Sequence, residues 1–563
     1  MNSDTFADIP RRKAIWLLIL VIILAAGLRL WVISRTTLPA GDGAGSNMEL
    51  AVNLLEGRGW ESERKWTYFG PWGDWGPIPH PEGNQQPLTS ILVAGAIFVG
   101  GVNYRSGQAV ALILSLAALV LLYAWASKRF NRRVALMASA VGAISASQIW
   151  FGSNLDTQTT FQLTTLIFFL LALSWLPDQP QKRLKLRYAF ILGIITGFAY
   201  LTRANGSFLL AGLWLWLLFW GGKGKKSTDG WLERFVKHLL SIAPLVLISL
   251  LAFCIVAAPW WYRNWQVFGS PFYTQNAYFI YAEDFFNVWV VRSSPPQTGE
   301  WFSHHTIFDI FIRESRGIYA AIEPFILGNL HRQERYAEGP LIVFTLMGFL
   351  WMLLKGERRK DSLPLMILGI HCIGLAAHSH AFRYMLPFYM LTYAYGSAGL
   401  LQLWQQSREI LRKKASKLTM TCAGILMILL SISPMGRPLA QVLKFDDRSM
   451  GKDLYSAADY LIANSEPGQP VADFPKLENI IWYYRRPTLA IPYDRPDVIL
   501  AVLSAYKPAH LFVTPELIKE RLGVDEWLDM NEEGRVIEKQ LPSTWHRVWT
   551  NDDGKMVIYK LEW

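Results

Sequence analysis

The chain has 563 residues, 52% of them hydrophobic and only 18% charged, with 25 tryptophans. Globular chains average about 25% charged residues, so this balance excludes a disordered or ordinary water-soluble protein. The excess of 55 Lys and Arg over 44 Asp and Glu, a formal +11, would indicate a nucleic-acid surface in a soluble chain, and its placement decides what the sign means.

A helix of about 20 apolar residues covers the roughly 30 Å hydrocarbon core of a bilayer. Eleven apolar runs meet or approach that length, at 14–34, 107–127, 134–150, 159–176, 188–202, 206–221, 239–259, 340–354, 363–379, 384–403 and 418–434. The segment 87–100 reads as a re-entrant or interfacial helix. The first run is too long for a cleaved signal and lacks a small-x-small cleavage site. Cys254, Cys372 and Cys422 all lie inside apolar runs and read as small buried hydrophobes, with no disulfide framework or CxxC site.

Orientation follows from the Lys/Arg bias of the short connections. An N-terminus inside puts 25 basic residues on the cytoplasmic side, from Arg11, Arg12 and Lys13, through the KRFNRR stretch 128–133, to Arg408–Lys417. The short turns of the opposite side, 151–158, 202–206 and 379–383, contain only Arg203 and Arg383. That asymmetry accounts for the basic balance and removes the support for nucleic-acid binding. The same topology places 35–106, 260–339 and 435–563 together on the outer face, as an enzyme working at a membrane surface requires. The expected architecture is an α-helical polytopic membrane protein of about eleven helices over residues 1–434, with an extracytoplasmic α/β domain at 435–563. In that domain short runs such as PVADF, TLAIP and HLFVT alternate with helical patterns.

Several residues on the outer face carry chemistry. The Gly-rich turn TLPAGDGAGS presents Asp42 just beyond the first span, where a carboxylate can take a proton from a hydroxyl or bind a metal. Capping of the following helix is the competing reading. Glu49, Glu56 and Glu61 read as solvated positions. Asp156 is the only acid of the turn FGSNLDTQTT, a second catalytic or metal-binding carboxylate or a helix cap. Arg203, Arg263 and Arg383 stand beside apolar helices, where a guanidinium is costly unless it pairs or meets an anion. Phosphate suits its planar fork, while snorkelling or a structural ion pair is the plainer account of each. His80 and Glu82, and His378 and His380, have side chains able to bind a divalent cation, without a recognised metal spacing; surface or hydrogen-bonded histidines are the alternative. Trp60, Trp66, Trp72 and Trp75 could stack on sugar rings or anchor the chain at the interface. No P-loop, Rossmann glycine pattern or nucleophile elbow is present.

Five motifs in order resemble integral-membrane glycosyltransferases of the GT-C superfamily, particularly bacterial relatives of protein O-mannosyltransferases and the lipid A aminoarabinose transferase. They are Asp42 followed by AVNLLEGRG, Gln86-Pro87-Leu88, Gly193, Gly197 and Leu201 to Arg203, Pro259 to Gly269, and Arg383, Tyr384 and Pro387. The resemblance implies transfer of a sugar, with inversion, from a polyprenyl-phosphate carrier to a protein, lipid or glycan acceptor outside the cytoplasm. It gives Asp42 the role of catalytic base, matches Asp156 to an acidic residue of the second outer loop, and places Arg203, Arg263, Arg383 and Tyr384 around the carrier phosphate. A multi-pass protein of the plasma (inner) membrane is the implied setting. Relatives commonly show Asp-Glu and a nearby Tyr, where this chain has Gly43 after Asp42 and Ser46 near the tyrosine position.

Two other classes compete with the enzyme reading: a lipid-linked-sugar flippase, which should show repeated halves and little outer bulk, and a non-catalytic scaffold. A glycan polymerase or ligase using diphosphate-linked donors is the alternative within enzymes.

Overall fold

A computed structural model describes residues 8–39, 42–65, 77–176, 184–220, 231–275, 277, 289–291, 298–327, 358–376, 382–411, 435–473 and 476–563. The expected spans 340–354 and 418–434, with Cys422, Trp66, Trp72, Trp75, His378 and His380, lie outside the described residues. For Asp42 and Arg383 the description is of the backbone.

Helix α1 (Arg11–Arg35) is followed by the shorter α2 (Asp42–Leu55), by β1 (Glu61–Ser62), β2 (Arg64–Lys65) and β3 (His80–Pro81), and by α3 (Pro87–Gly100). A run of helices then turns back and forth: α4 (Tyr104–Arg129), α5 (Arg132–Ile144), α6 (Ala146–Ser153), α7 (Thr157–Trp175), α8 (Leu186–Thr202), α9 (Ser207–Trp220) and α10 (Trp231–Phe268). Beyond them lie α11 (Thr298–His304), α12 (Ile307–Leu327), α13 (Arg358–Ala376) and α14 (Leu386–Leu411). The chain is a multi-pass membrane protein. Among the described residues four helices are long and apolar enough to cross a bilayer, or five if the bent pair α5–α6 counts as one span. Helices α3, α8 and α9 are apolar but shorter, α3 with 14 residues, about 21 Å by helical rise.

At one departure from the expected pattern, α10 runs through Pro244 and Pro259 for 38 residues. Its length of about 57 Å exceeds a bilayer core, so the stretch 260–268, expected to begin an outer loop, is helical. Between α5 and α6 the chain bends by 62°, and Ser145 caps α6 by accepting from the Gln148 N–H at 3.2 Å. This break leaves carbonyls at the end of α5 without intrahelical donors, and Arg29 of α1 serves one of them. Its guanidinium is fully buried, donating to Ala143 O at 3.3 Å, Ala25 O at 3.0 Å and Ser115 Oγ at 2.8 Å.

Arg129, counted above among the cytoplasmic basic residues, is buried at the end of α4. It makes a two-pronged pair with Asp361 (Nε to Oδ1 2.8 Å, Nη2 to Oδ2 2.6 Å), and the Tyr395 hydroxyl donates to the same carboxylate at 2.6 Å. The side chains of Arg129 and Asp361 are 4% and 1% exposed. Sequence bias counts the charge and cannot see its partner 232 residues away.

The C-terminal part begins with helical residues 435–444 packed on the end of α1 and on α6. It continues through α15 (Arg448–Asn464), β4 (Val471–Asp473), α16 (Ile481–Tyr484), β5 (Thr488–Ala490), α17 (Pro496–Tyr506), β6 (His510–Val513), α18 (Pro515–Glu520), β7 (Leu528–Met530), β8 (Val536–Glu538), β9 (Trp545–Thr550) and β10 (Val557–Leu561). A six-stranded sheet has the order β2-β5-β4-β6-β10-β9. Strands β2, β5, β4 and β6 are parallel, and β10 is antiparallel to β6 and β9. Its edge strand β2 comes from the segment after α2, with Arg64 opposite Thr488, so a sheet expected to lie wholly within 435–563 is completed by residues 64–65.

Removing one partner of a buried ion pair strands the other charge. Arg129→Met or Asp361→Asn alone should therefore lower stability by about 3–5 kcal/mol, and the double substitution should cost less than the sum of the two. Thermal unfolding of the purified protein in detergent measures both.

Candidate active site

Chain reversal gathers the sequence-derived residues at one end of the bundle. That end is where α1, α8 and α10 finish and where α4, α7 and α14 begin. Asp42 is the first residue of α2, so its backbone stands at the positive end of a helix dipole, where a carboxylate is favoured. The neighbouring Gly43 faces Gln85, with a Cβ built there 4.0 Å from Gln85 Nε2. Asn47 Nδ2 closes the first turn of α2 on Gly43 O at 2.5 Å, and its Oδ1 accepts from Ser90 Oγ of α3 at 2.8 Å.

Asp156 is the N-cap of α7, accepting from the Gln158 N–H at 2.9 Å and from Thr157 Oγ1 at 3.3 Å. Its partly exposed carboxylate does the capping work named above as the rival reading. Thr157 in turn accepts from Arg203 Nη1 at 3.0 Å. Arg203 is the C-cap residue of α8, and its guanidinium lies over the ring of Tyr384, 4.3 Å from the centroid. Asp156, Arg203 and Tyr384 thus form one group, with the backbone of Arg383 adjoining it in the turn Phe382–Met385. An aromatic face orients a guanidinium and leaves its plane edge for a planar anion.

Arg263 belongs to a second group. It donates to Glu82 O at 2.7 Å, Trp60 O at 2.9 Å and Asn264 Oδ1 at 3.0 Å, and stacks between Trp260 and Phe268 at 5.0 Å from each ring. These contacts make it an anchor for the loop after α2. Trp60 packs edge-on against Trp260 at 5.7 Å, which uses its ring in the fold.

His80 and Glu82 do not fit as metal ligands. The ring nitrogens of His80 lie 3.0 Å from Pro81 O and 2.9 Å from Arg64 O, and burial pushes its pKa below the ordinary histidine value. Glu82 Oε1 accepts the N–H groups of Asn84 and Gln85. Among the described residues no group of three or more His, Cys, Asp or Glu is arranged to hold an ion. The expected metal pair shapes a loop, because both side chains are drawn onto nearby backbone.

Glu49 also departs from expectation. It is 2% exposed under the β1–β2 segment, with Oε1 accepting from Glu63 N–H at 2.6 Å and Oε2 from Ser62 Oγ at 3.1 Å. Its position three residues before the apolar Val52, on the same face of α2, was the signal available in sequence. Two further features lay beyond sequence reading: the hydrogen bond that Gln162 Nε2 donates to Gln148 Oε1 at 2.9 Å inside the bundle, and the apolar cluster that joins Ala44, Met48, Leu155 and Trp482. That cluster ties the helix begun by Asp42 to the loop carrying Asp156. A methyl group at Gly107 would come within 2.9 Å of Met48 Sδ and 3.0 Å of Leu155, so α4 approaches both only as glycine.

A family model described as dolichyl-phosphate-mannose-protein mannosyltransferase matches residues 80–255, less than a third of the chain. No curated protein matches significantly. Among solved structures, the oligosaccharyltransferase AglB from Archaeoglobus fulgidus, in complex with an inhibitory peptide and a dolichol-phosphate, superposes with a TM-score of 0.58 at 14% identity, over 95% of this chain and 76% of its own. ArnT from Cupriavidus metallidurans bound to undecaprenyl phosphate is similar at a TM-score of 0.50 and 12% identity, over 98% of each chain. At such identities the likeness is one of fold. The chain resembles the GT-C superfamily of integral-membrane glycosyltransferases, as its motifs implied.

Burial raises the Glu49 pKa from 4.5 to about 8. The folded chain therefore keeps a proton that the unfolded chain has released between those values, and stability should fall as pH rises from about 4.5 through about 8. Glu49→Gln should flatten that part of the profile, read as melting temperature against pH in detergent.

Proposed function

We propose that this protein is a glycosyltransferase that moves a sugar, mannose or a related one, from a polyprenyl-phosphate carrier to an acceptor outside the cytoplasm. The N-terminus is cytoplasmic and the end of the bundle described above faces outward, in keeping with the Lys/Arg bias of the connections. The observation that carries the reading is the Arg203 group: a guanidinium at the end of an apolar helix, oriented by Tyr384 and bonded to Thr157 beside Asp156. The GT-C fold gives that group its context.

The chemistry suits the place. A polyprenyl tail stays in lipid while its phosphosugar reaches the surface, so the reacting carbon lies between helix ends and loops. Asp42 takes the proton of the acceptor hydroxyl as its oxygen bonds to the anomeric carbon. On the opposite side the bond from that carbon to the carrier phosphate breaks, and the configuration inverts. Negative charge grows on the leaving phosphate, and Arg203 and Arg383 stabilise it more in the transition state than in the ground state. Arg263 contributes chiefly by holding the backbone at Trp60 and Glu82. Asp156 keeps the first turn of α7 formed, so that Thr157 can hold Arg203. Protein, lipid and glycan acceptors all present the hydroxyl this step needs.

Transfer of radiolabelled sugar from polyprenyl-phosphate mannose, and from other polyprenyl-phosphate sugars, to endogenous acceptors in membranes tests the reading. Asp42→Asn should lower kcat by about 10²–10⁴-fold, and Arg203→Ala by about 10²–10³-fold, in normally folded protein. Wild-type rates in Asp42→Asn would remove this residue from the mechanism. Absence of transfer by wild type from every carrier would sink the enzyme reading.

A further inference from the structure

Asp42 lies between two points at which the C-terminal part of the chain grips the protein. Upstream, Asp447 accepts from Thr37 N–H at 2.6 Å, Thr37 Oγ1 at 2.9 Å and Leu38 N–H at 3.4 Å, and its own N–H donates to Arg35 O at 3.1 Å. The Tyr455 hydroxyl donates to Thr37 O at 3.2 Å, and Arg35 pairs with Asp446 at 3.4 Å. Leu38 is buried among Leu454, Ala457, Ala458 and Leu461. Gly451 lies so close that an added Cβ would stand 2.2 Å from Thr37 Oγ1. Downstream, Trp482 packs into the cluster of Ala44 and Met48 on α2. The polar groups of Thr37 and the Leu38 N–H are thus met by Asp447 and Tyr455, while Thr36 O and Oγ1 accept from Arg105 and Gln108 of α4.

We propose that Asp447 is a positioning residue for the transfer reaction: with Tyr455 and Gly451 it clasps the Thr37–Leu38 hinge and so sets the backbone from which α2 starts at Asp42. The inference rests on the proposed role of Asp42. A single carboxylate receiving three donors, with an apolar plug at Leu38 beside it, fixes both translation and rotation of the segment four residues before the base. The Trp482 contact fixes the helix after it. Turnover then depends on a residue that touches neither donor nor acceptor, because a displacement of about 1 Å in a reacting group can cost about a hundredfold in rate.

The test uses the full-length protein in detergent, with the donor concentration varied in the sugar-transfer assay. Asp447→Ala should lower kcat roughly ten- to a hundredfold while the donor KM stays within about twofold, since the Arg203 group is untouched. Amide hydrogen exchange should quicken at residues 42–46 and remain unchanged in α4. Gly451→Ala and Tyr455→Phe, which keep the carboxylate, should give smaller losses in the same direction, and they carry the test if Asp447→Ala does not fold. Arg495→Ala, which removes an exposed ion pair with Asp497, should behave as wild type. Wild-type kcat in folded Asp447→Ala, or faster exchange throughout the bundle with activity falling in step with folded protein, would overturn the proposal. Should Asp42→Asn abolish transfer while the Asp447 and Gly451 variants keep it, the inference alone fails. If Asp42→Asn transfers like wild type, the base assignment falls, and the clasp's catalytic meaning falls with it.

Discussion

The contact on which the rest of the site depends is the apolar cluster of Ala44, Met48, Leu155 and Trp482. These side chains come from a short helix after the first span, a turn between two bundle helices, and the C-terminal part of the chain. Burying them together removes apolar surface from water at roughly 25 cal/mol per Å². The same burial fixes the relation between the backbone of Asp42 and the loop of Asp156.

The buried arginines of the bundle follow the complementary rule, that a buried charge is costly without a partner. Arg29 meets a carbonyl freed by the α5–α6 bend, and Arg129 meets Asp361. Arg129 gives its Nε and Nη2 to one carboxylate, and Arg29 gives its Nε and Nη1 to a hydroxyl and two carbonyls. Arg203 differs in place and in company: it caps the end of α8 and lies against an aromatic face, at the level where an amphipathic ligand would present its charge. The contrast among arginines of one sequence shows that residue type alone does not tell which partners a guanidinium finds.

Most of the helices were legible in the sequence because a bilayer requires long uninterrupted apolar runs, and α1, α4, α7 and α10 follow that requirement. Boundaries were less legible. The apolar run ended at 259, yet the helix continues through Pro259 to Phe268. The capping role of Asp156 was readable from spacing, as an acid just before TQTT. Glu49 read as solvated because the strands that cover it, at 61–65, are too short to leave a pattern. His80 and Glu82 looked like ligands by residue type, while the backbone groups that occupy them are a matter of loop geometry.

Composition, apolar run length and charge placement determined by themselves that this chain is a multi-pass membrane protein, because those quantities measure transfer from water to lipid residue by residue. Motif order likewise carried the GT-C resemblance. Tertiary structure alone decided which charged residues are partnered, that β2 completes a sheet built mainly from residues beyond 470, and that Asp447 holds the hinge before Asp42. Such pairings join residues up to several hundred positions apart. Local sequence has no periodicity that encodes them, and they arise only when the folded chain must satisfy each buried polar group with whatever its packing brings near.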